Sequence, residues 1–308
     1  MVASIRCNLF HLKGENTKMK GRLRNVLVVS FSFAFVAGAL ASCGTSGVDN
    51  SKLIVGLECN YAPFNWTTYE TSDETLPIDG KAGQYADGYD IQIAKLLGEK
   101  LGKEVVIKKT VWESLISDLQ GGVINTIIAG MTDTEEREQS IDFTDEYYRS
   151  ELVLVTTKAL ADQYSEPLTG EELTEFFSTA DNNLVVSQVE TVTDDIIGNV
   201  LVNYGARHDT PVSTFADAAI AIISGADIAM TAEFPVANAI VNSNPDELGI
   251  IHLDQAILGD EAADLGVSIG IKKGNIEFQE AINGALAEIS QETRTQLMEE
   301  ALARSSEE

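Results

Sequence analysis

The sequence predicts an α/β fold of two lobes, and three observations carry that expectation. Short apolar strands alternate with helix-length amphipathic segments, the pattern of sheets covered by helices. The alternation restarts after Lys158, which divides it into two runs. Two stretches, 115–132 (LISDLQGGVINTIIAGMT) and 218–233 (AAIAIISGADIAMTAE), also share one layout: an apolar helix, a Gly-containing turn, an apolar strand, and a small or polar segment at the strand's C-terminal end. In open α/β sheets that end is where ligands bind. Two such ends facing each other make a cleft.

The elements follow in order. A strand is expected at 53–57, a helix at 91–101 with Ile91, Ala94, Leu97 and Leu101 on one face, a strand at 105–107, a helix at 113–120, and strands at 126–129 and 151–157. The polar, Gly-containing stretch 67–84 reads as one long loop, a length that points to function or an exposed insertion. Beyond Lys158 come a strand at 184–186, helices at 194–202 and 215–224, a strand at 228–231 and a helix at 236–241. The chain closes with a strand at 265–271 and helices at 276–289 and 294–303. The alternation implies parallel sheets.

Charge narrows the function. The 308 residues carry 21 Lys plus Arg against 48 Asp plus Glu, a net charge of −27, which excludes the basic footprint that a nucleic-acid phosphate backbone requires. With 44% hydrophobic and 22% charged residues the chain has the means to bury sizeable cores, so wholesale disorder is excluded too.

The N-terminus reads as a leader. Lys18, Lys20, Arg22 and Arg24 precede an apolar run at 26–40, the order of a secretory signal and too short for a spanning helix. A conventional leader of this type would begin at Met19. The run ends in Leu40-Ala41-Ser42-Cys43-Gly44, which resembles the lipobox of bacterial lipoproteins, where the Cys is lipidated and becomes the first residue after cleavage. Lipid chains on Cys43 would hold the protein at the outer face of the cytoplasmic membrane. Removing residues 1–42 takes Arg6, Lys13, Lys18, Lys20, Arg22 and Arg24 together with Glu15, so 21 basic and 48 acidic residues become 15 and 47, a net of −32. Of the three Cys, Cys7 leaves with the leader and Cys43 is acylated, so Cys59 has no intrachain disulfide partner and reads as a small buried hydrophobe.

The sharpest local feature is Ala129-Gly130-Met131-Thr132-Asp133-Thr134-Glu135-Glu136-Arg137, where a strand ends in Gly and passes through Thr-rich capping sequence into a helix. With Thr132 or Thr134 as the N-cap, Arg137 falls in the first helical turn, where a cation opposes the macrodipole. Its place there makes sense if an anion sits between the guanidinium, a Thr hydroxyl and free backbone N–H groups. The plain alternative is a solvated Arg paired with Glu135 or Glu136.

The mature sequence resembles the amino-acid-binding extracellular solute-binding proteins of ABC importers, the group that includes histidine-, glutamine- and lysine/arginine/ornithine-binding proteins. The matching words are Tyr61-Ala62-Pro63-Phe64-Asn65-Trp66, Gly88-Tyr89-Asp90, Trp112, Ala129-Gly130-Met131-Thr132 with Arg137, and Phe143-Thr144-Asp145-Glu146-Tyr147-Tyr148. No single word decides the matter; their order and spacing together are specific. The resemblance implies the two-lobed type 2 periplasmic-binding-protein-like fold with a hinge of two crossover segments, near 149–156 and 258–266. It sets residues 1–42 as signal peptide, 43–51 as lipidated Cys and tether, 52–152 with 260–308 as one lobe, and 153–259 as the other.

Site residues carry over by position. Arg137 matches the Arg that clamps a ligand α-carboxylate, with the Thr132 hydroxyl beside it. Ala129 and Gly130 fall where backbone groups face the ligand, the Ala129 carbonyl as an acceptor for its ammonium. Tyr61 and Trp112 match two aromatics that sandwich the ligand side chain, and Glu58 an acidic position that meets a polar or basic side chain. Glu233 matches the acid that binds the α-ammonium. The second-lobe carboxylate loop often reads Gln-x-Gly-Thr-Thr in the family and here reads Gln188-Val189-Glu190-Thr191-Val192-Thr193. Glu190 in place of Gly opposes close backbone approach, while Thr191 keeps a hydroxyl for a hydrogen bond. The family Asp after each Gly turn is Asn125 and Ile228 here, positions that read as structural.

The implied function is extracytoplasmic binding of a free α-amino acid, polar or cationic in its side chain, and its delivery to ABC transporter permease subunits by lobe closure. The expected protein is a monomer, anchored by lipid, with no cofactor, no metal and no catalytic residue. One rival is an enzyme on the same fold, such as a cyclohexadienyl dehydratase, with Glu58 or Glu233 as acid or base. Another is a ligand-sensing partner of a membrane receptor.

Overall fold

The computed structural model describes residues 51–180 and 182–306, which fall within one compact unit. The expected leader and Cys43 lie outside the described residues. Among those described, no helix is long and apolar enough to cross a membrane.

The chain opens with β1 (Lys52–Leu57), in which Leu53, Val55 and Leu57 are wholly buried. Four short strands follow, β2 (Asn60–Tyr61), β3 (Asn65–Thr68), β4 (Leu76–Pro77) and β5 (Tyr85–Asp87), and pair in the order β2-β3-β5-β4. They take up part of the 67–84 segment expected as a single loop, and a bridge from Ile78 to Ile107 pins that segment to the main sheet. Strands of two residues are too short to show a period of two, which is why the sequence pattern missed them. Next, α1 (Tyr89–Leu101) buries Ile91, Ala94 and Leu97 as their spacing requires. After β6 (Glu104–Lys109), a 3₁₀ turn at Trp112–Ser114 leads into α2 (Leu115–Gly121), β7 (Thr126–Ile127), α3 (Glu135–Glu138) and β8 (Ile141–Arg149).

The second run begins with β9 (Leu152–Thr157) and α4 (Lys158–Ala161), then α5 (Gly170–Thr179), whose Thr169 and Glu172 form a reciprocal capping box. It continues with β10 (Leu184–Val186), α6 (Val192–Asn199), β11 (Arg207–His208), α7 (Phe215–Ser224), β12 (Ala229–Glu233), α8 (Phe234–Ser243) and β13 (Leu248–His252). The chain then returns through β14 (Gly266–Lys272) to α9 (Ile276–Ala287) and α10 (Gln291–Ser305).

Two five-stranded sheets result, ordered β6-β1-β7-β14-β8 and β11-β10-β12-β9-β13. Neither is purely parallel, as the alternation had implied. In the first, β14 runs antiparallel to β7 and β8; in the second, β9 runs antiparallel to β12 and β13. The crossover strands cause this, because β9 enters the second sheet, and β14 re-enters the first, without a covering helix to reverse their direction. The crossovers are clasped to each other: the Gln255 side chain accepts from Leu152 N–H (3.1 Å) and donates to the Leu152 carbonyl (3.0 Å). One apolar core centres on Leu53, Val55, Ile93, Leu97 and Ile127, another on Leu154, Phe176, Phe177, Ile196 and Leu201.

Gly88 decides how α1 meets the small sheet. Its φ is 126°, and a Cβ there would lie 2.3 Å from the Phe64 carbonyl oxygen, an atom of the backbone. Gly80 has φ 72°, and a Cβ there would meet nothing within 4 Å. Gly88→Ala should therefore cost about 3 kcal/mol in urea unfolding, strain and overpacking together, whereas Gly80→Ala should cost only about 1 kcal/mol.

Candidate functional site

The strand ends of the two sheets meet around one small cavity. Its walls are Glu58 and Tyr61 after β1, Trp112 after β6, Gly130 and Thr132 after β7, and Arg137 on α3. The other side supplies Gln188, Thr191 and Val192 after β10, Phe215 at the start of α7, and Glu233 at the end of β12. Each side chain thus sits at or just beyond the C-terminal end of a strand, where the α/β arrangement opens a crevice. Nine of the ten ligand positions read from the sequence line this space; Ala129 is buried and does not.

Local sequence explains the placement. Thr134 caps α3 by accepting from Arg137 N–H (3.3 Å), so Arg137 does lie in the first helical turn. Its guanidinium is held at both ends: Nη1 donates to the Thr132 carbonyl (2.7 Å) and Nη2 to the Glu190 carbonyl (2.8 Å). Its Cζ stands 5.4 Å from the centre of the Trp112 ring, a cation–π contact, and Trp112 Nε1 donates to the same Glu190 carbonyl (3.1 Å). Glu190 adopts φ 59°, a left-handed conformation uncommon outside glycine, and its main-chain carbonyl receives both Arg137 and Trp112.

Two further bonds span the cavity. Tyr61 donates to Glu233 Oε2 at 2.6 Å, and Gln188 Nε2 donates to Glu58 Oε2 at 3.1 Å. Tyr61 stacks on Phe64 at 5.2 Å and meets Phe215 at 5.1 Å. Phe215 was missed by sequence reasoning because an aromatic opening an amphipathic helix reads as core; the cue was its place right after the Thr214 cap. Val192 was missed for the same reason. The Thr191 hydroxyl is engaged locally, donating to the Gln188 carbonyl (2.7 Å) and accepting from Asp194 N–H as the cap of α6. Asn125 is structural as read: it accepts from Ile54 N–H (2.7 Å) and donates to the Lys52 carbonyl (2.8 Å).

Electrostatically the cavity holds one cation and two carboxylates. Burial pushes Glu58 up to about 7, opposed by the Gln188 amide, and raises Glu233, opposed by the Tyr61 hydroxyl and Arg137. Burial also lowers Arg137, against the pull of nearby acids such as Asp195. None of the lining residues is Ser, Cys or His, and among the described residues no cluster of three or more His, Cys, Asp or Glu is placed to hold a metal. Such an arrangement is suited to binding groups of opposite charge.

Residues 53–302 match the model of the bacterial extracellular solute-binding proteins, family 3. The chain belongs to this family. Among its relatives is the arginine-binding extracellular protein ArtP of Bacillus subtilis (strain 168), 30% identical over 142 residues, 45% of this chain and 50% of ArtP, so the chain spans about half of that relative. The ABC transporter glutamine-binding protein GlnH of the same organism is 25% identical over 88% of this chain and 94% of its own. Among solved structures, the amino acid ABC transporter substrate-binding protein AbpA from Streptococcus pneumoniae, bound to L-arginine, superposes with a TM-score of 0.67 at 24% identity, covering 84% of this chain and 97% of that one. That likeness establishes the shared fold of this solute-binding family.

Glu58 sets a pH dependence on the ligand-free protein. Its folded pKa of about 7 lies above the usual 4.5, so between those values the folded protein keeps a proton that the unfolded chain has released, and stability falls as pH rises through the window. Glu58→Gln should be level with wild type at pH 4 and more stable by about 3 kcal/mol at pH 8, read from urea unfolding across that range.

Proposed function

We propose that this protein captures a free α-amino acid with a polar or cationic side chain outside the cytoplasm and delivers it to the permease of an ABC importer. The observation that carries the reading is a half-buried guanidinium, Arg137, and a buried carboxylate, Glu233, lining one cavity together with a second buried carboxylate, Glu58. Two guanidinium N–H groups are spent on protein carbonyls, and the others suit a ligand α-carboxylate. Glu233 takes the α-ammonium. Glu58 and Gln188 meet the end of the side chain, which favours a cation or an amide donor there. Relatives named for arginine and glutamine binding support that side-chain class.

Residues 52–152 with 260–308 form one lobe and 153–259 the other, and binding draws them together about the crossovers near 149–156 and 258–266. Closure removes water from the charge-assisted bonds and so strengthens them. Residues 1–42 are a leader, and Cys43 carries the lipid that keeps the monomer at the membrane.

A thermal-shift screen of the purified protein against the twenty amino acids with ornithine, citrulline and cystine tests the reading. Millimolar addition of a micromolar ligand should stabilise the fold by about 4 kcal/mol, a rise of several degrees; a flat response across the panel rejects it. Arg137→Ala should cost about 3 kcal/mol or more of affinity by calorimetry, and unchanged binding would sink the carboxylate assignment. For the anchor, Cys43→Ala should move the protein from the membrane fraction to the soluble one on cell fractionation.

A further inference from the structure

Beneath the cavity lies a carboxylate that does not line it. Asp90, near the start of α1, is completely buried and accepts two hydrogen bonds, from the Tyr147 hydroxyl to Oδ1 (2.7 Å) and from Asn65 Nδ2 to Oδ2 (2.8 Å). Each donor passes the connection on. Tyr147 Oη accepts from Gly130 N–H (2.9 Å), and Asn65 Oδ1 accepts from Cys59 N–H (2.8 Å). Gly130 and Cys59 are both left-handed, with φ 62° and 52°. One follows β7 and the other follows β1, and between them they flank four of the cavity's walls: Glu58, Tyr61, Gly130 and Thr132.

We infer that Asp90 is a positioning residue of the ligand site, fixing through Tyr147 and Asn65 the two backbone corners that aim those walls. The inference rests on the binding function proposed above. Its physical basis is polarity. Once ionised, above about pH 7, the Asp90 carboxylate only accepts, so Tyr147 donates to it and keeps its lone pairs for Gly130, while Asn65 presents its NH₂ to Asp90 and its carbonyl oxygen to Cys59. Because the Gly130 and Cys59 N–H groups can only donate, both side chains between them and Asp90 have their sense fixed from both ends. A left-handed Cys is a costly conformation that persists only where its surroundings over-determine it, and Asn65 supplies such a restraint. At the other corner a Cβ on residue 130 would lie 2.7 Å from Tyr61 Cε1, so the backbone passes directly under the ring that donates to Glu233. Peptide planarity adds a consequence. With Gly130 N–H turned toward Tyr147, the Ala129 carbonyl of the same trans peptide is turned away from it.

Packing alone does not account for an acid here. A buried carboxylate met by two neutral donors and no cation is a poor source of stability, and burial raises its pKa to about 7. An Asn of the same shape would serve packing equally well yet break the polarity. With its NH₂ toward Asn65, that residue must turn its own NH₂ onto Cys59 N–H; with its NH₂ toward Tyr147, the phenol proton loses its acceptor.

The test uses calorimetric titration of the purified protein with whichever amino acid of the panel above, ornithine, citrulline and cystine included, the wild type binds most tightly. Kd is measured at 15 °C, after circular dichroism has shown each variant to be folded. Asp90→Asn and Tyr147→Phe should each raise Kd at least tenfold, and the double variant should lose no more than about threefold beyond the weaker single, because both break one relay. Phe177→Leu, in the core of the second sheet, should lower the melting temperature and leave Kd within twofold. Kd within twofold of wild type in both single variants overturns the inference, as do losses that multiply in the double variant or an equal loss in Phe177→Leu. Should Asp90→Asn fail to fold, Tyr147→Phe against Phe177→Leu decides. A wild type that binds nothing in that panel overturns the binding function itself, a result distinct from all of these.

Discussion

Buried charge is the constraint on which the rest of this structure depends. Glu58 and Glu233 are taken out of water in one cavity and Arg137 partly so, and each full removal costs several kcal/mol unless partners replace the lost hydration. Few are supplied by the protein alone. Gln188 meets Glu58, Tyr61 meets Glu233, and two carbonyls meet Arg137, which leaves the set short of full compensation and suited to a zwitterion. The same bonds run from one sheet to the other, so the groups that hold the strand ends together are the groups a ligand would engage.

The folds of the two sheets serve that meeting. Parallel strands β1, β6 and β7 deliver their ends to one wall, and β10 and β12 deliver theirs to the other. Crossover strands lie between, clasped through Gln255, so the walls are joined by two short covalent connections and otherwise by side chains. A site assembled this way is only as well ordered as the strand ends themselves. That is why a buried relay under two left-handed corners bears on binding although it touches no cavity space.

Much of this was legible in the sequence. The helices with clear apolar faces, α1, α7 and α9, fall within a few residues of their expected spans, as do β1, β6, β9 and β10. Others escaped for reasons that can be stated. β8 mixes acids and aromatics along an edge of its sheet, so neither alternation nor a continuous apolar run marks it, and β13 is a brief apolar stretch interrupted by Gly249. α5 carries a Thr-x-x-Glu capping signature at Thr169 that was there to be read. In the site, Tyr61, Trp112, Thr132 and Arg137 were found from the order and spacing of short words, while the Phe215 ring was not. What those words could not convey was the part played by main chain: the Glu190 carbonyl that receives both Arg137 and Trp112, and the N–H groups of Cys59 and Gly130 turned inward.

Glu190 shows what such a main-chain contact asks of the corner that makes it. Glycine would reach φ 59° without strain, but a glycine corner has a wide range of conformations to give up when the chain folds. Glu190 has a narrower range to lose. The corner therefore carries a standing conformational strain in exchange for a smaller loss of chain entropy on folding, and the carbonyl that receives Arg137 and Trp112 rests on a backbone with few other conformations open to it.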